Sequence, residues 1–329
     1  MVTKDKVRAT ILGAVLGDSF GKPVEMKSAQ YIKEKYGRVD KYLDCSGHKY
    51  FDGDKLGTWT DDAQLTLCIA RSIINTGNFN IENIAAEHVK EYKTSVKGWG
   101  GSTREAIGKI ANGMEWHKAS ITDNPKLGVG NGIAMKVSPI AIYMAMKNIS
   151  IEEITKNIVE LSLMTHRTSM AITSGLAQTF AVFQCLSVGE NSKFQDNFFL
   201  TNIVAAGMIG RTYLSETLTE DDIANRFDSL KNYKDFSTED IIDKFGAGSC
   251  YVYDSLPFTY AFFLKNPNSI DSLYDCISAG GDADSNGSML GALLGALHGM
   301  KIFPKHLIDE LDQKDMILNI ADQLYEKLK

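Results

Sequence analysis

The sequence predicts an all-α protein, and three observations support that prediction. Only six prolines occur in 329 residues, so long segments contain no residue that breaks a helix. Apolar residues recur at the spacing that places them on one face of a helix. Segments that alternate apolar and polar residues, as strands do, are nearly absent. Because no repeat and no change of composition marks a linker, we expect residues 1–329 to form a single domain.

The first two predicted helices each have a distinctive sequence. Arg8 to Gly21 carries Gly13 and Gly17 four residues apart, and small residues at that spacing let another backbone approach closely. Asp62 to Asn75 is an apolar run, and it ends at Thr76-Gly77-Asn78, a sequence that favours a turn. The second helix is therefore expected to be buried.

Further helices follow at the same periodicity. Pro139 indicates that one of them is divided in two or kinked, because proline disturbs the helical turn before it. Ser150 opens another, and Glu153 three residues later gives the spacing of a capping box. These helices span Ile81 to Lys93, Ser102 to Asn112, Gly132 to Met146, a segment from Ser150, Thr168 to Val188, Ser255 to Leu264, Ile270 to Ser278, Ser285 to His298 and Asp315 to Leu328.

Three segments are predicted to be irregular connections. Tyr36 to Phe51 is a mixed sequence, rich in aromatic residues and interrupted by glycine. Asn191 to Asn197 and Lys231 to Phe245 have the polar composition of exposed, variable loops.

The composition favours a soluble intracellular protein. A net charge of -6 and the lack of a dense run of Lys or Arg argue against a nucleic-acid or membrane surface. The five cysteines are scattered without a CxxC pair, which fits reduced thiols in a cytosol better than disulfides or a zinc site. The apolar stretch Ala9 to Leu16 is too short for a signal peptide or a membrane span. We therefore expect a cytoplasmic protein.

Two acidic clusters lie far apart in the chain, each just before an apolar helix. The first is Thr60-Asp61-Asp62 and the second is Asp282-Ala283-Asp284-Ser285, which follows two glycines. Either cluster alone could be a helix N-cap, but two acids exceed what a cap needs. Carboxylates gathered together repel one another, and Mg²⁺ prefers carboxylate and hydroxyl oxygens as ligands. The sequence therefore predicts that the two clusters meet around cations.

Two more acids lie at the end of the first predicted helix and in the turn after it. A helix C-terminus disfavours carboxylates, so Asp18 is unexpected there unless it has a partner; the alternative is an exposed or turn-forming acid. Glu25 lies in the turn that comes after it.

Three glycine-rich turns each lead into a predicted helix, at Gly98 to Ser102, Gly128 to Gly132 and Gly246 to Tyr251. Backbone amides in such turns can hold a phosphate group, and Trp99 adds an aromatic ring that could stack on a base. Each turn alone is a weak signal. His166 is a lone histidine, and most such residues are simply packed and hydrogen-bonded.

Together and in this order, the motifs resemble those of the ADP-ribosylglycohydrolase family along nearly the whole chain. The matching segments are Gly13-x-x-x-Gly17-Asp18-x-x-Gly21-x-x-x-Glu25, Thr58-Trp59-Thr60-Asp61-Asp62, Gly130-Asn131-Gly132-x-x-Met135, Thr165-His166 and Gly280-Gly281-Asp282-Ala283-Asp284-Ser285 with the following Gly291 to Ala296.

The resemblance implies a compact all-α fold of orthogonal helices that binds two Mg²⁺ ions, with Mn²⁺ as a substitute, and cleaves the bond between ADP-ribose and an acceptor. The implied metal ligands are Thr60, Asp61, Asp62, Asp282, Asp284 and Ser285. The implied catalytic residues are Glu25, as metal ligand or as base for the attacking water, with Asp61 and Asp62. The implied ADP-ribose-binding residues are Gly98, Trp99, Gly100, Ser102, Asn131, Gly132, His166, Gly246, Gly248, Tyr251 and Tyr253.

The chain departs from the family pattern at three positions. Lys136 replaces a frequent Arg, which keeps the charge but loses bidentate geometry. Ala283 replaces a Thr whose side chain is expected to point away. Gly101 lies where some arginine-selective members carry an acid, so arginine is in doubt as the acceptor.

Two other functions remain open from the sequence. One is a non-catalytic ADP-ribose binder or a crystallin-like structural relative, although the retained acids favour an enzyme. The other is a hydrolase of a different nucleotide-linked glycoside. The expected partner is an ADP-ribosylated protein or a small ADP-ribose conjugate, with no nucleic acid and no membrane, and the expected state is a monomer.

Overall fold

The computed structural model describes residues 2–189, 192–213 and 222–329, and nearly all the regular secondary structure of these residues is helical. The α-helices of these ranges are α1 Lys4–Gly21, α2 Ala29–Tyr36, α3 Asp61–Thr76, α4 Ile81–Thr94, α5 Gly101–Ala111, α6 Trp116–Ala119, α7 Ser138–Lys147, α8 Ile151–Thr165, α9 Ser169–Ser187, α10 Asp196–Gly210, α11 Ile223–Asp228, α12 Thr238–Lys244, α13 Val252–Lys265, α14 Asp271–Ser278, α15 Ala283–His298, α16 Lys305–Glu310 and α17 Lys314–Leu328.

Helices α1 and α15 form the closest pair of the fold, and they run antiparallel. A Cβ atom on Gly17 would lie 1.9 Å from the carbonyl oxygen of Gly287, and one on Gly13 would lie 2.3 Å from that of Gly291. Only glycine leaves room for backbones at this distance. The pairing brings the C-terminal end of α1 next to the N-terminal end of α15, so Asp18 and the second acidic cluster become neighbours.

A short antiparallel sheet extends this pairing beyond the helix ends. Strand β1, Lys27–Ser28, pairs with β2, Gly280–Gly281, with Lys27 opposite Gly281. A 3₁₀ turn at Lys22–Val24 connects α1 to this region. The sheet therefore holds the turn that carries Glu25 beside Asp282.

The apolar core surrounds α9 and α15. Helix α9 packs against α7, α10 and α15, while α3 lies between α1, α4 and α17. Large aromatic side chains such as Phe20, Phe258 and Tyr260 are fully buried. No helix of the described ranges is both long enough and apolar enough to span a membrane.

The helices predicted from apolar periodicity are confirmed, with ends that shift by a few residues. Pro139 lies at the start of α7, and a separate 3₁₀ turn, Ala134–Lys136, precedes it, so the predicted segment is divided in two. Ser150 caps α8 by accepting a hydrogen bond from the Glu153 amide, as expected.

The prediction of an exposed loop at Lys231 to Phe245 is wrong, because this segment contains α12 and most of a 3₁₀ helix at Ser229–Asp235. Short helices offer too few turns for a periodic pattern to emerge. Helices α2 and α10 were also not predicted from the sequence. In the predicted connection at residues 191–197, Asn191 lies outside the described residues, and α10 begins at Asp196.

Candidate metal centre and cavity

The two acidic clusters meet, as the sequence predicts. The Ser285 hydroxyl donates to Asp62 Oδ2 at 3.2 Å, and the Thr60 hydroxyl lies 3.4 Å from Asp284 Oδ2. These bonds connect the N-terminus of α3 to the N-terminus of α15. The acids of both clusters therefore share one buried site.

Asp18 caps helix α3 from a different helix. Its carboxylate accepts hydrogen bonds from the backbone N–H groups of Thr60 and Ala63 at 2.9 Å each, and from the Thr60 hydroxyl at 2.9 Å. Thr60 occupies the N-cap position but makes no capping bond to its own helix. The partner that the sequence required for Asp18 is therefore the N-terminus of α3. Because Asp18 serves as the cap, Asp61 and Asp62 do not have to.

Glu25 lies in a tight turn whose backbone is unusual. The next residue, Met26, has a φ of 61°, a left-handed conformation that side chains other than glycine rarely adopt. The Met26 N–H donates to the carbonyl oxygen of Gly281 at 2.7 Å. Carboxylate oxygens of Glu25, Asp282 and Asp284 all lie within 4.8 Å of one another. The turn thus directs Glu25 at the second acidic cluster.

The environment of this site disfavours the ionised form of its carboxyl groups. Burial, followed by the neighbouring charges of Asp282 and Asp18, raises the pKa of Glu25 to about 8. Burial and then the Asp18 charge raise the pKa values of Asp61 and Asp62 well above their ordinary range. Carboxylates placed so closely need either protons or cations.

The donor atoms fit divalent cations. Asp62 Oδ1 is buried and has no hydrogen-bond partner among the described residues. A buried carboxylate oxygen without a donor is rare and costly, and a cation bound beside it would satisfy it. Carboxylate and hydroxyl oxygens without nitrogen or sulfur match Mg²⁺ or Mn²⁺.

The acids form the floor of a cavity of about 350 Å³. The predicted site residues that line it are Glu25, Asp61, Asp62, Gly98, Gly100, Ser102, Asn131, Gly132, His166, Tyr251, Asp282, Asp284 and Ser285. Thr60 lies just behind this floor, bonded to Asp18 and close to Asp284.

The turn at residues 128–132 forms one wall of the cavity. Its backbone pairs with the segment before α13, where the Asn131 N–H donates to the carbonyl oxygen of Cys250 at 3.1 Å. The Asn131 side-chain amide donates to Asp282 Oδ2 at 2.6 Å, so this wall is tied directly to the acidic cluster. A Cβ atom on Gly132 would lie 2.7 Å from the His166 ring, which explains the glycine there.

His166 is a neutral group in this wall. Burial, and then the charge of Lys136, lower its pKa to about 3. Its Nδ1 atom lies 2.8 Å from the hydroxyl of Thr165. The ring can therefore hydrogen-bond a ligand without adding charge to the site.

Four predicted ADP-ribose-binding residues are not part of the cavity wall that the described residues form. Trp99 is buried, and its indole N–H donates to Gln64 Oε1 at 2.8 Å. Tyr253 packs against the guanidinium of Arg226, 4.5 Å from the ring centre.

The other two, Gly246 and Gly248, lie in a turn behind the second acidic cluster. The Gly248 carbonyl oxygen accepts from the Asp282 N–H at 2.9 Å and from the Asn286 side chain at 2.8 Å. This turn therefore positions Asp282 from behind and does not face the cavity.

Sequence reasoning missed several residues of the cavity wall, notably Met26, Lys126 and Leu127. Each is a close chain neighbour of a predicted residue, which is the signal that could have found them. Met26 is 65% exposed at the edge of the cavity.

Comparison with known proteins gives one consistent result. A model of the ADP-ribosylglycohydrolase family matches residues 1–329. An uncharacterized protein of Archaeoglobus fulgidus is 27% identical over 98% of this chain and 97% of its own length. ADP-ribosylhydrolase ARH3 of Xenopus tropicalis is 26% identical over 91% of this chain and 89% of its own. The ADP-ribosyl-dinitrogen reductase glycohydrolase of Rhodospirillum rubrum is 23% identical over 94% and 91%.

A solved structure has the same fold. It is described as an ADP-ribosylglycohydrolase-related protein complex, with a TM-score of 0.72 and 19% identity over 99% of both chains.

Proposed function

The chain belongs to the ADP-ribosylglycohydrolase family, and on that premise we propose that it is an Mg²⁺-dependent hydrolase. The reaction is cleavage of the glycosidic bond between ADP-ribose and an acceptor, which reverses ADP-ribosylation. The main support for the proposal is that both acidic clusters and Glu25 lie together on the floor of one cavity. A non-catalytic binder would not require this accumulation of buried, mutually repelling acids.

Two Mg²⁺ ions, or Mn²⁺ in their place, would be held by Thr60, Asp61, Asp62, Asp282, Asp284 and Ser285. When bound, such ions supply Lewis acidity and orient the ribose hydroxyls. Neutral hydroxyl ligands from Thr60 and Ser285 limit the negative charge of the site.

Glu25 is the candidate base for the attacking water. Its carboxylate lies at the cavity floor, next to Asp282 and Asp284. Cleavage at the anomeric carbon passes through an oxocarbenium-like state and needs a carboxylate close to the attacking water. Glu25 must be ionised to accept a proton from that water, and burial, which raises its pKa, disfavours the ionised form unless a cation is bound beside it. Glu25 would take the proton from the water that adds to this carbon.

The walls of the cavity would bind ADP-ribose. The side chain of Asn131, the neutral His166 ring and the Ser102 hydroxyl offer hydrogen bonds. Gly98, Gly100 and Gly132 let the ligand approach the backbone closely, and Tyr251 offers an aromatic face. The acceptor is either a protein side chain or a small ADP-ribose conjugate. The scattered, unpaired cysteines support a cytoplasmic setting.

The test is release of ADP-ribose from a panel of Arg- and Ser-ADP-ribosylated peptides, with Mg²⁺ or with EDTA. We expect release that requires Mg²⁺, and the cleaved peptide identifies the acceptor. Asp284→Asn should lower the rate by about 100-fold or more, or about 2.7 kcal/mol, because it removes a ligand from the buried site.

The matched control is Asp275→Asn, which makes the same chemical change at an exposed ion pair with Arg38. It should retain full activity. ADP-ribose binding without release from any peptide would favour the non-catalytic binder or a non-protein substrate. Release that is unaffected by EDTA would contradict the metal dependence.

A further inference from the structure

A cluster of five side chains lies beside the cavity but does not line it. We call it the Phe51–Asp54 cluster, and it consists of Lys22, His48, Phe51, Asp54 and Lys97. Three of these residues, His48, Phe51 and Asp54, come from the long irregular segment between α2 and α3.

Asp54 is shared between two lysines from different parts of the chain. Its Oδ2 atom accepts from Lys22 Nζ at 3.1 Å, and its Oδ1 atom accepts from Lys97 Nζ. The same Lys22 ammonium donates to the Thr58 hydroxyl at 2.5 Å. The Lys22 side chain is only 2% exposed, so little water competes for its charge. The bond from Lys22 is therefore shielded from water, whereas Lys97 is 45% exposed.

Phe51 supplies the apolar half of the cluster. Lys22 Nζ and Lys97 Nζ lie 5.2 and 5.5 Å from its ring centre, within the range of a cation–π interaction. The His48 ring stacks on Phe51 at 4.9 Å. A Cβ atom built on Gly98 would lie 3.6 Å from the edge of the Phe51 ring.

The cluster touches each of three segments that supply the cavity. Lys22 is three residues before Glu25, and His48 Nε2 lies 3.4 Å from the Glu25 carbonyl oxygen. Thr58 is two residues before Thr60 and leads directly into the first acidic cluster. Lys97 is adjacent to Gly98, the start of the turn that forms part of the cavity wall. One carboxylate thus connects the Glu25 turn, the first acidic cluster and this wall.

We propose that Asp54 is a positioning residue that sets the spacing of these three segments and thereby the geometry of the metal site. The part of this inference that concerns metal affinity rests on the proposed function; the part that concerns positioning does not. Burial raises the pKa of Asp54, but the hydrogen bonds from Lys97 and Lys22 outweigh that effect and hold it below its usual value, consistent with an ionised linker.

The test compares Asp54→Asn with the wild-type protein by hydrogen–deuterium exchange of the full chain. We expect exchange to rise together in peptides that cover residues 22–28, 57–62 and 97–102, with no change in the core helix α9. The matched control is Asp52→Asn in the same loop. Asp52 is exposed, and within the described part of the chain its carboxylate accepts only a backbone bond from Gly47, at 2.7 Å. This variant should affect residues 44–56 alone.

A second variant separates the two arms of the link. Lys97→Ala keeps the bond from Lys22 and removes the bond to the cavity wall. It should raise exchange at residues 97–102 only and weaken binding of ADP-ribose, while Mg²⁺ affinity measured by calorimetry stays unchanged. Asp54→Asn should lower Mg²⁺ affinity by about tenfold, as supporting residues behind metal ligands do. A general loss of stability would not weaken ADP-ribose binding in one variant and Mg²⁺ affinity in the other.

Exchange that rises only at residues 44–58 in Asp54→Asn would overturn the positioning role. If Asp54→Asn increases exchange throughout the fold, the Lys97→Ala variant becomes the deciding test. Unchanged exchange at residues 97–102 in Lys97→Ala would also overturn the positioning role. If the wild-type protein binds no Mg²⁺, the proposed function is wrong. The hydrogen–deuterium exchange of Asp54→Asn still tests whether Asp54 positions the three segments.

Discussion

At the scale of single residues, the site places ionisable groups where their charged forms are unfavourable. The pKa values of Asp18 and Glu25 are raised to about 6 and about 8, chiefly by burial. Asp284 is raised well above its ordinary range by burial and then by the charge of Glu25. The pKa of Lys136 is lowered, again because burial disfavours the charged form. Such groups make the stability of the fold depend on pH and on bound cations.

The first prediction concerns pH and Mg²⁺. A carboxyl group with a raised pKa binds its proton more tightly in the folded than in the unfolded chain. In EDTA, we therefore expect the stability to fall as pH rises from about 4.5, the ordinary pKa of Glu25, towards about 8. Thermal unfolding at several pH values measures this trend. Excess Mg²⁺ should reduce it, because cations stabilise the ionised acids.

Binding of Mg²⁺ near neutral pH should also release protons. Calorimetry in two buffers with different ionisation enthalpies detects that release. A stability in EDTA that rises steadily between pH 5 and 8 would contradict the raised pKa values.

The second prediction concerns Lys136. Its ammonium is fully buried, has no hydrogen-bond partner among the described residues, and has a pKa lowered to about 8 by burial. Below that pH the folded protein must hold an unfavourable charge. Lys136→Met should therefore raise the free energy of unfolding at pH 7 by about 1–3 kcal/mol.

Denaturant unfolding at pH 7 and pH 10.5 checks this, because the gain should shrink at the higher pH, where the lysine is neutral in the folded state and partly neutral in the unfolded state. A loss of stability in Lys136→Met at pH 7 would instead indicate that Lys136 is an essential counter-charge to Asp61 and Asp62.

At the scale of elements, the pairing of α1 with α15 builds the site. The glycines of both helices let the backbones touch, which fixes the ends of the two helices relative to each other. Asp18 at one end then caps α3 and connects a third helix to the pair. Three helix ends and one short sheet therefore converge on the acids.

The third prediction tests this pairing. Gly17→Ala places a Cβ atom 1.9 Å from the Gly287 carbonyl oxygen, so the helices must move apart. We expect a loss of about 3 kcal/mol or more, measured by denaturant unfolding. Gly101→Ala is the matched control, because the added methyl group would meet only Leu127 at 3.5 Å. Equal stability of the two variants would mean that the α1–α15 contact adapts without cost.

At the scale of the whole molecule, buried apolar residues from α1 to α17 form one continuous cluster through the described ranges. The candidate metal site lies where several of these helices end. Segments distant in sequence therefore depend on one another for both packing and ligand geometry.

The fourth prediction follows from that continuity. We expect the chain to unfold in a single cooperative transition, as a single domain would. Mg²⁺ at 100 times its dissociation constant should raise the stability of the entire transition by about 2.7 kcal/mol. Scanning calorimetry with and without Mg²⁺ measures both effects. Two separate transitions, only one of them sensitive to Mg²⁺, would contradict a single domain.

The helical class, most of the long helices and the two acidic clusters could be predicted from the amino-acid sequence alone. Periodicity and local motifs are properties of neighbouring residues, so they can be read along the chain. Asp18 was identified as an acid that needed a partner, because its position at the end of a helix opposed the helix dipole. Gly13 and Gly17, four residues apart in α1, likewise predicted that another backbone approaches this helix closely, because glycine has no side chain.

Only the tertiary structure decided which segments meet. It placed Asp18 at the N-terminus of α3, Trp99 in the core and Gly248 behind Asp282, whereas the glycine and aromatic motifs alone suggested ligand contacts for the latter two. The structure also revealed that Asp54 connects Lys22 and Lys97, which no motif in the neighbouring sequence predicts. Contacts between residues far apart in sequence depend on how helices pack, and a linear pattern does not contain that information.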